Sequence, residues 1–403
     1  MVSGLLAYVF FAATTRALGP EAASPVSVLW TYWSFSAAAF TFPVQHWVAR
    51  SVAARHDEND VRSALPRLGL IVLATAMVTG VASWLVRDAL FHRDGVAFPI
   101  LVAGIAVGSG VMGFSRGTLS ARGRFGSVAS ILVAENAVRC LGAVLLMLAH
   151  VTQPIGYAVA LLVGHLVVVA WPSSLRVRWR AERASSSESP LQFLSAASAG
   201  QLLAQAVLTG GPVVLALGRG TAAEVTAMFA GLALFRAPFT FALGLVSQLT
   251  GVFTTWAVQN RGATLRRARD LIVVGSLGAL VVAGVVGVTV GPDLVRIVFG
   301  PEIRLTATQT MLLAAGSSIA LANLVLTVLV LALGRPGGVG RAWLTACFVA
   351  GVFFASTALT ALDRTCWAFV VAQATAFVVL LVEEQARRSR LRSTAAPSRS
   401  TDM

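Results

Sequence analysis

Charged residues are scarce in this chain and lie in short clusters, so long stretches of the sequence contain few charged residues or none. A spanning helix needs roughly 20 mostly apolar residues. The sequence divides into twelve such stretches, with cores at 2–15, 26–47, 68–86, 97–114, 126–149, 154–171, 193–217, 223–256, 271–290, 307–333, 342–361 and 365–382. With 57% apolar and 12% charged residues, it cannot cover a water-soluble globule with polar surface. We predict an all-α polytopic membrane protein with about twelve transmembrane helices.

Two of these stretches have unusual lengths. The first, 2–15, is short for a span, so we expect either a short first helix or a start farther upstream. No basic residue precedes it, which argues against a cleaved signal peptide. The eighth, 223–256, is too long for a simple span, so part of it must be a loop, a tilted helix or a projecting helix.

The basic residues indicate orientation rather than a nucleic-acid partner. All 31 are arginine, and 22 of them lie in alternate loops and the C-terminal tail. The net charge of +14 therefore flanks apolar stretches, where arginine meets anionic lipid head groups. We predict a multi-pass protein of the cytoplasmic (inner) membrane with both termini in the cytoplasm, membrane lipids as partners, and no nucleic-acid binding.

The two halves of the chain resemble each other. Residues 17–19 (Ala-Leu-Gly) recur at 216–218, and 40–42 (Phe-Thr-Phe) recur at 239–241, both 199 positions later. This offset spans six predicted helices, an even number, which predicts two parallel-repeat six-helix lobes around a central cavity. We divide the chain into an N-terminal lobe (1–172), a cytoplasmic linker (173–192), a C-terminal lobe (193–385) and a disordered cytoplasmic tail (386–403).

Signatures of enzymatic chemistry are missing from the sequence. There is no GxxxxGK[ST] phosphate loop, no HExxH and no GxSxG motif. The five histidines and three cysteines show no metal-ligand spacing. We therefore predict a membrane transporter and not an enzyme, with no catalytic residues, no cofactor and no bound metal.

Ionisable residues inside apolar stretches are the main site candidates, because a charge at a helix centre costs roughly 2.5–3.5 kcal/mol. Glu135 and Arg139 are four positions apart, so they share a helix face and can pair. The pair either locks helices together or faces a cavity, where it binds an anionic substrate or relays a proton. Arg236 has no acidic neighbour within one turn, and its guanidinium suits a phosphate or pyrophosphate; the alternative is a hydrated vestibule.

Uncharged and glycine-rich positions give weaker candidates. Further substrate-binding candidates are Gln45 and Arg50 at the end of the second stretch and Gln201 and Gln205 on one face of the seventh. Intramembrane amides more often bond to neighbouring helices, and we interpret His165, Asn323 and Gln373 as packing residues. A predicted hinge for alternating access, or a static kink, lies at Gly210, Gly211 and Pro212.

Two local motifs carry a family resemblance. Arg116-Gly117, then Gly123-Arg124-Phe125, then an arginine well inside the next helix, resembles the junction of the fourth and fifth helices in polysaccharide-type flippases. These flippases belong to the multidrug/oligosaccharidyl-lipid/polysaccharide exporter superfamily. The run from Arg16 to Pro20 is similar to the motif that follows their first helix.

The resemblance implies a flippase that moves a lipid-linked oligosaccharide, usually on an undecaprenyl pyrophosphate carrier, across the bacterial cytoplasmic membrane. It implies that Arg139 and Arg236 face the cavity, with Arg16 and Arg50 near its mouths. Glycan-synthesis enzymes are candidate partners, which a scaffold would recruit through the cytoplasmic linker and tail. One alternative is a proton- or sodium-coupled exporter of drugs or small molecules, although the first stretch lacks the acidic residue common in that group. Another is a non-transporting membrane scaffold for glycan synthesis.

Overall fold

Helices dominate the structure. The computed structural model describes residues 2–55, 58–176, 190–259 and 261–394, and this part of the chain contains no strand. Within it, seven helices are long and apolar enough to cross a membrane, and one sharply bent pair makes an eighth. The remaining predicted spans lie in helices that are short or interrupted, so the count of twelve stays a prediction. The all-α, polytopic, two-lobed architecture is confirmed.

The two lobes repeat one order of long and short helices. In the N-terminal lobe these are α1 (Val2–Ser36), α2 (Phe42–Arg55), α3 (Asn59–Leu85), α4 (Arg87–Phe91), α5 (Ala97–Ala121), α6 (Phe125–Leu148) and α7 (Pro154–Val163). In the C-terminal lobe they are α8 (Pro190–Thr209), α9 (Gly211–Leu217), α10 (Ala222–Phe235), α11 (Ala237–Val258), α12 (Gly262–Thr289), α13 (Gly291–Phe299), α14 (Ala307–Ala332), α15 (Pro336–Ser356) and α16 (Ala361–Thr394). The short α4 and α13 hold the same place in each lobe. This order supports the parallel repeat.

The first apolar stretch is longer as a helix than its sequence indicates. Helix α1 continues past Arg16 and breaks only at Gly19, where φ is 75° and ψ is 173°. That backbone region is essentially restricted to glycine. The second span then follows the break and continues through a π-helical turn, Ala37–Thr41, into α2. The first helix is therefore about one turn longer than predicted.

The eighth stretch is long because it contains two helices. Helix α10 ends at Phe235, α11 begins at Ala237, and Arg236 lies at the junction. Ala37, where the π-helical turn begins, is 199 positions before Arg236, which is the offset of the sequence repeat. Both lobes thus interrupt their second span at equivalent positions, and Arg236 lies at this interruption, between two helices of the stretch that we predicted to be too long for a simple span.

The lobes pack against each other through several helices, among them α1 with α10 and α13, and α8 with α2 and α3. The rings of Phe11 and Phe229 lie 4.1 Å apart between centroids. At one end of the bundle, Thr226 Oγ1 donates to the carbonyl of Pro20 at 2.6 Å, and Thr15 Oγ1 donates to that of Phe299 at 2.7 Å. Because each bond joins one lobe to the other, this end of the interface is closed.

The predicted linker and tail fall partly on described residues. A 3-10 turn covers Pro172–Ser174, and α8 begins at Pro190, three residues before the predicted lobe boundary. Residues 177–189, with three of the linker arginines, lie outside the described residues. Helix α16 continues to Thr394, so 386–394 is helical where we predicted disorder, and 395–403 lies outside the described residues.

The glycine break after the first helix can be tested by adding a Cβ. We expect Gly19→Ala to lower the free energy of unfolding by about 1–3 kcal/mol, because alanine does not tolerate this backbone region. The apparent melting temperature of the purified protein in one detergent measures the change. Gly284→Ala, in α12 with no heavy atom within 4 Å of the added Cβ, is the control and should leave the melting temperature unchanged or raise it. Equal effects would contradict the strained break.

Candidate functional site

A cluster of buried charges lies at the centre of the N-terminal lobe. Glu135 Oε1 accepts from Arg139 Nη2 at 2.6 Å, and its Oε2 accepts from Arg116 Nη2 at 2.6 Å. The two side chains of the α6 pair are 0–2% exposed, and that of Arg116 is 7% exposed. The predicted pair is therefore present, with a second guanidinium on the other carboxylate oxygen. We call Arg116, Glu135, Arg139 and His165 the N-lobe charge cluster.

Several contacts fix the position of the Arg139 side chain. Its Nε donates to the carbonyl of Leu161 at 2.9 Å, and its Nη2 lies 3.4 Å from Nδ1 of His165. The guanidinium also lies over the ring of Trp33, 4.7 Å from the centroid. A Cβ at Gly164 would collide with the Arg139 side chain, so only glycine fits there. Arg139 thus joins α6, α7 and α1, and it lines neither of the two cavities described below.

Arg116 was missed as a site residue because its sequence context predicts a loop. We placed the end of the fourth apolar stretch at residue 114, but α5 continues to Ala121. Two glycines on α5 explain the burial, since a Cβ at Gly113 or Gly117 would meet α2 and the turn before it within 3 Å. This close approach removes water from Arg116. The available signal was the glycine spacing, which is typical of tight helix packing.

The cluster carries two arginines and one carboxylate, which gives it an excess of positive charge. Arg139 Nη1, Arg116 Nε and His165 Nε2 are buried and have no hydrogen-bond partner. Removing one member of a buried charge group strongly destabilises a protein, because the remaining charge is uncompensated. The cluster therefore has a structural role, and it also places a positive field inside the membrane.

A second group of candidates lies between the lobes. Arg236 lines a small pocket with side chains from α1, α8 and α10, and its other members are Trp30, Ser34, Thr209, Phe229, Leu232 and Ala233. We call this the inter-lobe pocket. Its open volume is about 10 Å³, room for at most one water molecule.

Arg236 compensates for a missing backbone donor in the bent helix pair. Its Nη1 donates to the carbonyl of Leu208 at 3.1 Å. In a continuous helix that carbonyl would accept from residue 212, but Pro212 has no N–H to donate. Nearby, Gln205 Nε2 donates to Thr209 Oγ1 at 3.1 Å, which connects Gln205 to the same pocket. Gln201 is exposed one turn earlier on α8.

Two tryptophans connect the charge cluster to the inter-lobe pocket. Trp33 lies under Arg139, and its ring is 5.2 Å from that of Trp30, which lines the pocket. Phe229, on the other lobe, faces Trp30 across 6.4 Å. A row of aromatic side chains therefore runs from Arg139 to the inter-lobe pocket, which Arg236 also lines.

The remaining candidates lie away from this region. Arg16 donates through Nε to the carbonyl of Val298 at 3.2 Å and through Nη2 to that of Ile297, so it caps the C-terminal end of α13 in the other lobe. Arg50 is exposed on α2, and Gln45 is half-buried there, where Gly117 packs on its backbone. The structure thus brings Glu135 together with Arg139, and Arg236 together with Gln205, but does not gather Arg16, Arg50, Gln45 and Gln201.

The predicted hinge coincides with a sharp bend. Helices α8 and α9 meet at an angle of 72°, and Gly210 lies between them. A Cβ at Gly210 would collide with the carbonyl of Ala206, and one at Gly211 would lie 2.5 Å from Met228 Cε. Both glycines and Pro212 are therefore required by this bent geometry.

The amide residues of the C-terminal lobe bond to each other. Asn323 Nδ2 donates to the backbone carbonyl and to Oε1 of Gln373, both at 2.9 Å. Both residues are completely buried, which agrees with our interpretation as packing residues that join α14 to α16. In the part of the chain that the structure describes, no group of three His, Cys, Asp or Glu residues could hold a metal ion.

Comparison with solved structures identifies the fold. No protein-family model matches the sequence, and no curated protein matches it. The inward-facing conformation of a multidrug resistance MATE family transporter of the MOP superfamily matches over 98% of this chain and 96% of its own, with a TM-score of 0.70 and 15% identity. The inward closed conformation of the lipid II flippase MurJ matches over 95% and 86%, with a TM-score of 0.70 and 11% identity. The chain has the fold of these MOP-superfamily transporters.

A further solved structure of this fold matches with a lower TM-score. The outward-facing conformation of a MATE family transporter gives a TM-score of 0.60 at 16% identity, covering 98% of this chain and 95% of its own. The inward-facing and inward closed structures both give 0.70. The hydrogen bonds that Thr15 and Thr226 make between the lobes close the interface at their end of the bundle.

The charge cluster predicts a large cost for removing its single carboxylate. We expect Glu135→Gln to lower the free energy of unfolding by about 3–5 kcal/mol, because two buried guanidiniums lose their counter-charge. Thermal unfolding in one detergent measures the loss.

The matched control is Asp293→Asn, which breaks an exposed pair with Arg296 and should cost at most about 1 kcal/mol. If the two variants unfold at the same temperature, the cluster does not stabilise the lobe as argued here.

Proposed function

We propose that this chain is an alternating-access transporter that moves a lipid-linked oligosaccharide or polysaccharide intermediate across the bacterial cytoplasmic membrane. The observation that carries the proposal is Arg236, a guanidinium between the lobes that pairs with no carboxylate among the described residues and lines a pocket with two aromatic side chains. Its fork of donors suits the phosphate or pyrophosphate that links a glycan to its lipid. The shared fold with the lipid II flippase MurJ supports it.

The N-lobe charge cluster adds to this positive field. Arg116 and Arg139 outnumber Glu135, and in a low-dielectric interior such an excess acts over several ångströms. Trp33 and Trp30 connect the cluster to the inter-lobe pocket. We propose that Glu135 and Arg139 act on the anionic head group in this way, and that Arg16, Arg50, Gln45 and Gln201 contact it only near the two mouths.

Substrate entry requires the lobes to separate, since the inter-lobe pocket holds at most a water molecule in this conformation. We propose that Gly210, Gly211 and Pro212 form the hinge. The Arg236 guanidinium stabilises the bend through the Leu208 carbonyl, so a phosphate that competes for this guanidinium removes a support of the bend. Binding in the pocket is thereby coupled to the shape of α8–α9.

The function is tested by the leaflet distribution of carrier-linked oligosaccharide. We expect a strain that lacks this chain, and one that carries Arg236→Ala, to accumulate the glycan lipid on the cytoplasmic leaflet, because the head group loses its cationic contact. Accessibility to an external glycan-binding probe measures the distribution. Arg304→Ala removes one exposed arginine and is the control for net charge. An unchanged distribution in the deletion strain would contradict the proposal.

A proton- or sodium-coupled exporter of drugs or small molecules is the second candidate, favoured by the equally high similarity to a multidrug MATE family transporter. Its weakness is that the intramembrane carboxylate Glu135 is held by two arginines and is not available to a cation. Increased drug susceptibility in the deletion strain, with normal glycan-lipid distribution, would favour this candidate over the flippase.

The hinge predicts a transport defect without a folding defect. In Pro212→Ala the new N–H can bond to the Leu208 carbonyl and displace Arg236. We therefore expect straighter α8–α9 geometry and a slower loss of the glycan lipid from the cytoplasmic leaflet, with an unchanged melting temperature. Ala355→Leu, on an exposed face of α15, is the control. Normal transport in Pro212→Ala would show that the kink is static.

A further inference from the structure

A cavity of about 260 Å³ lies inside the C-terminal lobe, next to the bend between α8 and α9. Helices α15 and α16 form its other walls. Ala206, Val214 and Gly351 are exposed and form the rim, whereas Ala368 and Ala372 are buried and form the floor. The cavity therefore opens to the outer surface of the helix bundle, within segments that lie in the membrane.

The helices of the N-terminal lobe that correspond to α15 and α16 carry larger side chains. Arg139 of α6 and His165, in the 3-10 turn after α7, pack beside Leu161. Counted from the starts of the helices, the corresponding positions in the C-terminal lobe are Ala350, Ala372 and Ala368, and all three line the cavity. By this count, three alanines correspond to an arginine, a histidine and a leucine.

The bend enlarges the gap. Helix α1 is unbroken from Val2 to Leu18, but its counterpart turns by 72° between α8 and α9. The two polar side chains of the lining are already engaged, since Thr365 Oγ1 donates to the carbonyl of Ala361 at 2.7 Å and Cys347 Sγ lies 3.9 Å from that of Leu203. An apolar cavity of this kind does not retain water, and an empty one is destabilising.

A cation lies beside this apolar space. The guanidinium of Arg364, in the first turn of α16, lies 4.1 Å over the ring of Phe354, a residue of the cavity wall. Its Nε is buried and has no hydrogen-bond partner. A hydrocarbon cavity with an arginine at one end has the two chemistries of an anionic phospholipid, an aliphatic chain and a phosphate.

We propose that one acyl chain of an anionic bilayer phospholipid occupies this cavity, with its phosphate at Arg364, and that this lipid holds α8–α9 in the bent geometry. The site lacks a carboxylate for a cationic drug. It is formed without the inter-lobe pocket, so the proposal is independent of the transported substrate. Lipid release would allow α8–α9 to straighten and close the space, as α1 does in the other lobe.

The test uses photo-crosslinking in proteoliposomes. The probe is phosphatidylglycerol with a diazirine on one acyl chain, and mass spectrometry locates the label. We expect label on the peptides that contain Ala350 and Ala368.

Ala350→Leu fills the cavity with methyl groups and displaces about two methylenes of the chain, which should lower this label about tenfold. Ala206→Leu, at the exposed rim, should also lower the label and carries little risk of misfolding. Ala355→Leu, on the same helix but outside the cavity, should leave it unchanged.

A second set of labelling measurements tests whether Arg364 recognises the charge of the lipid head group. In Arg364→Gln the preference for phosphatidylglycerol over an equally labelled phosphatidylcholine should fall several-fold, while chain labelling persists. Label spread evenly over lipid-facing helices, or unaffected by both cavity-filling variants, would overturn the site. Label from an isoprenoid phosphate probe but not from phosphatidylglycerol would assign the cavity to a different lipid. An unchanged lipid preference in Arg364→Gln would overturn the head-group assignment.

Discussion

The N-terminal lobe depends on one carboxylate that holds two guanidiniums where no water can solvate any of them. Glu135 binds Arg116 from α5 and Arg139 from its own helix, and Arg139 extends the contacts to α7 and to Trp33 of α1. Four spans therefore have fixed positions relative to one charge. Because a buried charge without its partner is costly, a shift of any one of these helices alone would separate a buried charge from its partner.

The C-terminal lobe has a different buried arrangement. A neutral pair, Asn323–Gln373, joins α14 to α16, and a buried carboxylate, Glu384, lies toward the C-terminal end of α16, 3.7 Å from Arg269 Nη1. The cluster reaches α1 through Trp33, which lies after the Gly19 break, in the second span. The bend and the cavity both occur in the C-terminal lobe. The repeat thus gives two halves with one topology and different interiors.

The sequence predicted what depends on local spacing. The pairing of Glu135 with Arg139 follows from four residues of separation, and the repeat follows from an ungapped offset. Contacts between distant segments were not predictable, since the carbonyls that bind Arg16 lie in α13 and carry no sequence signal. Arg116 was misplaced because a glycine-flanked arginine is typical of a loop, whereas here the glycines allow helices to approach and bury it. The C-lobe cavity was missed because a void leaves no residue pattern of its own.

Arg236 connects the pocket and the bend through one proline. Pro212 leaves the Leu208 carbonyl without its helical donor, and a lone carbonyl inside a membrane has no water to satisfy it. The guanidinium that satisfies this carbonyl is also the cation of the inter-lobe pocket. A phosphate would compete for the same donors and bind them more strongly, because charge-assisted hydrogen bonds are about twice as strong as neutral ones. Under the proposed function, a phosphate that binds Arg236 after the lobes separate would therefore also free the carbonyl, so that binding and helix geometry would depend on a single side chain.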